Sequence, residues 1–191
     1  MTEKVYELNP VTAITAGAVG EPGHRVFYIQ GRRLEATVTL VAEKAQVQLL
    51  AHGIYQLLAE VDDKYATVSH PTPAGSLDLE LNFPLEPDFR VARLELGYDP
   101  ETDLVVLVAH ELVAEDPEAD PGSRVEDRES SEVPSVAHLY ATRSQMRAMA
   151  DHALKVAAGG RPICALCGQP NDAQGHVCPR RNGHPPTPAA F

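Results

Sequence analysis

Apolar and polar residues alternate along LEATVTLV (34–41). Leu34, Ala36, Val38 and Leu40 fall on one face and Glu35, Thr37 and Thr39 on the other, the period of a strand with one buried side. The period then lengthens. From Glu43 onward, Val47, Leu50, Ile54, Leu57, Leu58 and Val61 recur at helical spacing, which predicts an amphipathic helix of about 19 residues. Upstream, VTAITAGAV (11–19) and RVFYIQ (25–30) read as two strands. Glu21-Pro22-Gly23-His24 between them suits a type II turn, with Pro fixing φ and Gly supplying the positive φ at the next position. Gly31-Arg32-Arg33 is expected to close the following hairpin. The first unit is therefore three strands and a helix, over about 11–61.

The order repeats. FRVARLELGY (89–98) alternates, but its apolar face switches near Ala92, as a β-bulge would make it do. After the turn 99–103 comes LVVLVAHELV (104–113), then VAHLYA (136–141), then a helix from Thr142 to about Ala158. Its stripe is Met146, Met149, Ala153, Val156 and Ala157; Met146 lies 99 residues after Val47, and the same offset carries Gln46 onto Gln145 and Leu40 onto Leu139. The second unit spans 88–158, and setting aside an insert at 115–133 leaves the two nearly equal in length. Duplication explains this; so does the ease with which any two amphipathic stripes can be brought into phase. The expected architecture is α+β: two βββα units in a mainly antiparallel sheet with both helices on one face, occupying residues 1–160. Leu77, Leu79, Leu81 and Phe83 alternate and predict an additional edge strand. The insert 115–133 carries eight acidic residues against Arg124 and Arg128 and is expected to be a mobile loop, because it holds almost nothing apolar to offset its ordering entropy.

Composition narrows the function. The chain has 191 residues, 43% hydrophobic, a formal net charge of −11, 5% aromatic residues and no tryptophan. An acidic surface repels phosphate backbones, and few aromatics are available for base stacking, so nucleic acid is a disfavoured partner. No run reaches the length of a membrane-spanning helix, and the N-terminal MTEKVYELNP lacks a basic-then-apolar leader. No membrane insertion is expected, and the chain reads as cytoplasmic, where thiols stay reduced.

All three cysteines sit in CALCGQPNDAQGHVCPRRNGH, which begins at Cys164. Cys164 and Cys167 are spaced to hold one ion from a single tight turn, with Gly168 free to adopt the left-handed backbone after it. His176 and Cys178 return after a turn-rich stretch and complete a Cys₃His set. Four protein ligands leave no open position, so the expectation is one structural zinc per chain in a knuckle at 161–191. His184, six residues beyond Cys178, is the competing fourth ligand. A redox dithiol would open a helix after a strand, not follow one, and an iron–sulfur cluster wants four cysteines.

VGEPGHRVFYIQ (19–30), EKAQVQLLAHGIYQLL (43–58) and the tail motif CxxCG…GHxCPRxNG together resemble an uncharacterised actinobacterial family known only as a domain of unknown function. The resemblance spans nearly the whole chain and implies no activity.

No phosphate loop, nucleophile elbow or HExxH motif is present. His24 and Arg25 beside the first turn, and His110 and His138 on neighbouring strands, are the groups an enzyme site between the two units would use. The row Tyr28, Gln30 and Arg32 could face a ligand. The reading that asks least is a zinc-stabilised binding or adaptor module for another protein, without catalysis; an enzyme using those four residues is the alternative, and nucleic-acid binding comes third.

Overall fold

The computed structural model describes residues 4–65, 77–113, 133–160, 164–168 and 178–180. Seven strands and two helices follow one another as β1 (Val5–Leu8), β2 (Ala13–Val19), β3 (Val26–Arg33), β4 (Ala36–Ala42), α1 (Lys44–Lys64), β5 (Phe89–Asp99), β6 (Leu104–Glu111), β7 (Val136–Thr142) and α2 (Arg143–Ala158). The fold is α+β with a single mixed sheet, ordered β1-β7-β6-β5-β4-β3-β2. Two antiparallel meanders, β2-β3-β4 and β5-β6-β7, meet where β4 and β5 run parallel through Leu40–Phe89 and Val41–Arg90. At the other end β1 lies parallel to β7, with Leu8 opposite Leu139. Four of the six pairings are antiparallel, as expected, and the two parallel ones make the sheet mixed.

β1 and β2 occupy opposite ends of that order yet are consecutive in the chain. Between them Val11 N–H donates to Tyr140 O of β7 at 2.8 Å, and Thr12 N–H to Arg32 O of β3 at 2.7 Å. The link thus bonds to the strand next to each end of the order, which brings the two ends of the sheet together. Inside the sheet's curve, a Cβ at Gly31 would meet Leu139 at 3.0 Å and Leu8 at 3.4 Å, so the missing side chain lets β3 sit close against these two leucines.

One core fills the interior. Ile14, Ile29, Leu40, Val105, Leu107 and Leu139 from the strands join Val47, Ile54 and Leu58 of α1 and Met146, Met149 and Ala153 of α2. The predicted stripes are buried, with Leu57 and Val156 packed at the margin. α1 and α2 pack on each other, and each also packs on the first strand of the opposite meander: α1 on β5, α2 on β2. Each helix begins with a glutamine that works twice. Gln46 Oε1 accepts from Glu43 N–H at 2.8 Å while its Nε2 donates to Val91 O and Ala92 O. Gln145 Oε1 accepts from Thr142 N–H at 2.9 Å while its Nε2 donates to Val11 O and Thr12 O.

Three expectations need correction. β3 runs on through Arg33, so Gly31-Arg32-Arg33 is strand and the turn falls at Leu34-Glu35, where Leu34 has φ 53° and is 87% exposed. Residues 77–82 form no strand. They cross the outer face of β2-β3-β4: Thr15 Oγ1 donates to Leu79 O, Gln30 exchanges hydrogen bonds with the Asn82 backbone in both directions, and Leu81 lies over Gly17. The leucine alternation reflects seating on a sheet face, not pairing at its edge. β1 was not expected at all. The bulge near Ala92 is present, between Val91 and Arg93, and the type II turn is as read, with His24 N–H on Glu21 O at 2.9 Å and Gly23 at φ 101°. All of 115–132 lies outside the described residues.

Candidate metal centre

The described part of the tail is two short pieces, 164–168 and 178–180. Gly168 N–H donates to Cys164 O at 2.9 Å and Gly168 has φ 73°, closing Cys164–Gly168 into a tight turn whose last residue needs the left-handed region that glycine allows. The turn places Cys164 and Cys167 on one side. Cys178 comes back to them: its Sγ lies 4.0 Å from that of Cys164, and the three sulfurs all fall within 4.8 Å of one another. A tetrahedral zinc with bonds of about 2.3 Å to sulfur separates its thiolates by about 3.8 Å, so the spacing fits one ion. The cysteines are free thiols, half-buried. The Cys167 backbone N–H, followed by that of Leu166, donates toward Cys164 Sγ and holds its thiol below the ordinary range, the state a metal ligand needs. His176 and His184 both lie outside the described residues.

The four groups of the alternative enzyme site are not brought together: the Arg25 and His110 side chains have partners elsewhere in the fold. Arg25 Nη1 donates to Val156 O near the end of α2, and His24 stands exposed in its turn. His110 and His138 sit on the outward positions of β6 and β7, facing away from the core. His110 Nε2 lies 3.3 Å from Glu95 Oε1, which Arg93 also holds at 2.8 Å. His138 stands opposite Val108 and Glu7. Arg25 and the histidine pair therefore belong to different faces. Of the row Tyr28, Gln30 and Arg32, two members are used internally: Gln30 is wholly buried between Thr39 and Asn82, and Arg32 pairs with Asp78 at 2.8 Å.

A buried cation escaped the sequence reading. Arg143, the first residue of α2, is 6% exposed. Its Nε reaches Asp103 at 2.6 Å, Nη1 reaches Asp62 at 3.0 Å and Nη2 donates to Tyr98 OH at 2.7 Å, while Tyr98 OH donates to Asp103. A shallow cavity of about 300 Å³ opens beside it, lined by Asp62, Ser144, Arg147 and Asp151 among others. All three guanidinium nitrogens are engaged by side chains of the fold, so the cluster ties the end of α1, the 99–103 turn and the start of α2 together.

Among the described residues no helix is long and apolar enough to cross a membrane. No curated protein and no solved structure matches the chain. One family model does, over residues 6–178, a span that takes in both meanders, both helices and all three cysteines. The chain belongs to DUF3090, a family of proteins of unknown function.

Proposed function

We propose that the tail is a structural zinc knuckle, with one zinc held by Cys164, Cys167, His176 and Cys178, and that the protein is a non-catalytic binding or adaptor module of the cytoplasm that engages another protein. The observation that carries the metal reading is the convergence of three free thiols within 4.8 Å, reached from two separate turns. The family match ends at Cys178, so it includes His176 and leaves His184 outside, which favours His176 as fourth ligand. With four protein ligands the ion would fix the chain and perform no chemistry. Against catalysis stands the separation of Arg25, which bonds Val156 O of α2, from His110 and His138 on the outward face of β6 and β7.

The 4–160 region reads best as a duplicated βββα unit. The parallel junctions Leu40–Phe89 and Leu139–Leu8, the twin roles of Gln46 and Gln145, and the crossed packing of α1 on β5 and α2 on β2 all support that reading. On this account β1 and β2 together answer to β5, interrupted where β5 carries its bulge.

Limited proteolysis with and without a strong chelator tests the proposal. Chelation should expose 161–191 to cleavage while a fragment ending near 160 survives, because the core resides in that fragment and the tail has too little apolar surface to fold without metal. A tail equally resistant in both conditions would refute a metal-dependent fold.

A further inference from the structure

Besides the three thiols, a hydrogen bond joins the two described pieces of the tail: Arg180 Nη1 donates to Leu166 O at 3.1 Å. Leu166 lies inside the Cys164–Cys167 turn, and Arg180 lies two residues beyond Cys178. The carbonyl that Arg180 holds belongs to the same peptide unit as the Cys167 N–H. In a trans peptide the C=O and N–H point to opposite sides. A donor on the Leu166 oxygen therefore sets the plane of this unit and aims its N–H the other way, toward Cys164 Sγ, where that N–H donates. Hydrogen bonds linked through one peptide also strengthen one another. Charge acts in the same direction. Zinc with three thiolates and a neutral imidazole carries one net negative charge, and a guanidinium on the turn offsets it.

We infer that Arg180 is a positioning residue for the metal centre: its hydrogen bond to Leu166 O orients the Leu166–Cys167 peptide onto Cys164 and pins the turn that follows Cys178 against the Cys164–Cys167 turn. This rests on the reading of the cysteines as metal ligands. It goes beyond the ligands themselves, since Arg180 touches no ion. Ligand-orienting groups of this kind typically govern metal affinity by about 10- to 100-fold.

Cobalt(II), which takes tetrahedral thiolate sites and reports them by a thiolate-to-metal charge-transfer band, is the probe. The full chain is titrated with cobalt(II) against a competing chelator, and circular dichroism of the same samples checks that the βββα region is folded. Arg180→Ala should weaken cobalt binding by about 10-fold or more and shift the charge-transfer band. Arg180→Lys, which can still donate to the carbonyl, should recover most of the affinity. An Arg180→Ala protein with wild-type affinity and spectrum overturns the inference while leaving the metal site intact. So does a loss that lysine does not recover. A wild-type chain that takes up no cobalt in tetrahedral thiolate form sinks the metal reading itself, and this inference with it.

Discussion

Gln46 and Gln145 each hold one helix start and a second segment, β5 for Gln46 and the link between β1 and β2 for Gln145, so a single truncation at either should loosen two joints at once. Gln145→Ala removes the acceptor for Thr142 N–H and the donor to Val11 O and Thr12 O. Leaving such groups unsatisfied costs about 1–3 kcal/mol, and the predicted loss, read from chemical denaturation, is of that size. Gln46→Ala should lose a comparable amount, since its bonds to Glu43, Val91 and Ala92 mirror the others; a variant within error of wild type would show the bridging bond to be dispensable. His152 gives a pH signature. Burial first, then Lys155, depresses its pKa, so its contribution is fully present above the unfolded value near 6.5 and is lost as pH falls through the lower folded value. His152→Gln should flatten the fall of the melting midpoint below about pH 6.5; an unchanged slope would assign that fall elsewhere. Residue-level chemistry was unevenly legible. The cysteines were legible through their spacing, because a CxxC pair can bring two thiols together from one tight turn, and the three sulfurs do lie close together. Arg143 was not, because Asp62, Tyr98 and Asp103 meet it only through tertiary packing.

The elements were readable wherever one side of them is buried. Both helix stripes, the β5 bulge and the first turn followed from periodicity and turn chemistry. β1 was missed because it is four residues long and its partner β7 lies more than a hundred residues away; a non-local parallel pairing leaves no local trace. Residues 77–82 alternate without pairing because alternation records two-sidedness, whereas strand pairing needs backbone partners; here the Leu79 carbonyl accepts from the Thr15 hydroxyl and the Asn82 N–H donates to Gln30 Oε1. The hairpin turn was placed too early because Gly31 reads as a turn residue, while its purpose is to let Leu139 and Leu8 approach. That purpose is testable. Gly31→Val should overpack this contact and destabilise by about 1–3 kcal/mol or more, measured by the denaturation midpoint. Stability retained in full would mean that β3 and β7 can separate freely there.

At the scale of the molecule, two parts obey different physics. Residues 4–160 fold on one hydrophobic core shared by a curved sheet and two helices. The tail carries few apolar residues, Leu166 being half exposed in its described part, and on the proposed reading metal supplies its folding free energy. The central claim is that the ion holding the tail is zinc on Cys164, Cys167, His176 and Cys178. The most direct measurement is elemental analysis of metal per chain in the purified protein and in single variants. Wild type should carry one zinc, Cys167→Ser none, His176→Ala much less, and His184→Ala the full amount. Zinc retained by His176→Ala but lost from His184→Ala would contradict the ligand set, and a metal-free wild type whose thiols oxidise reversibly would contradict the metal centre altogether.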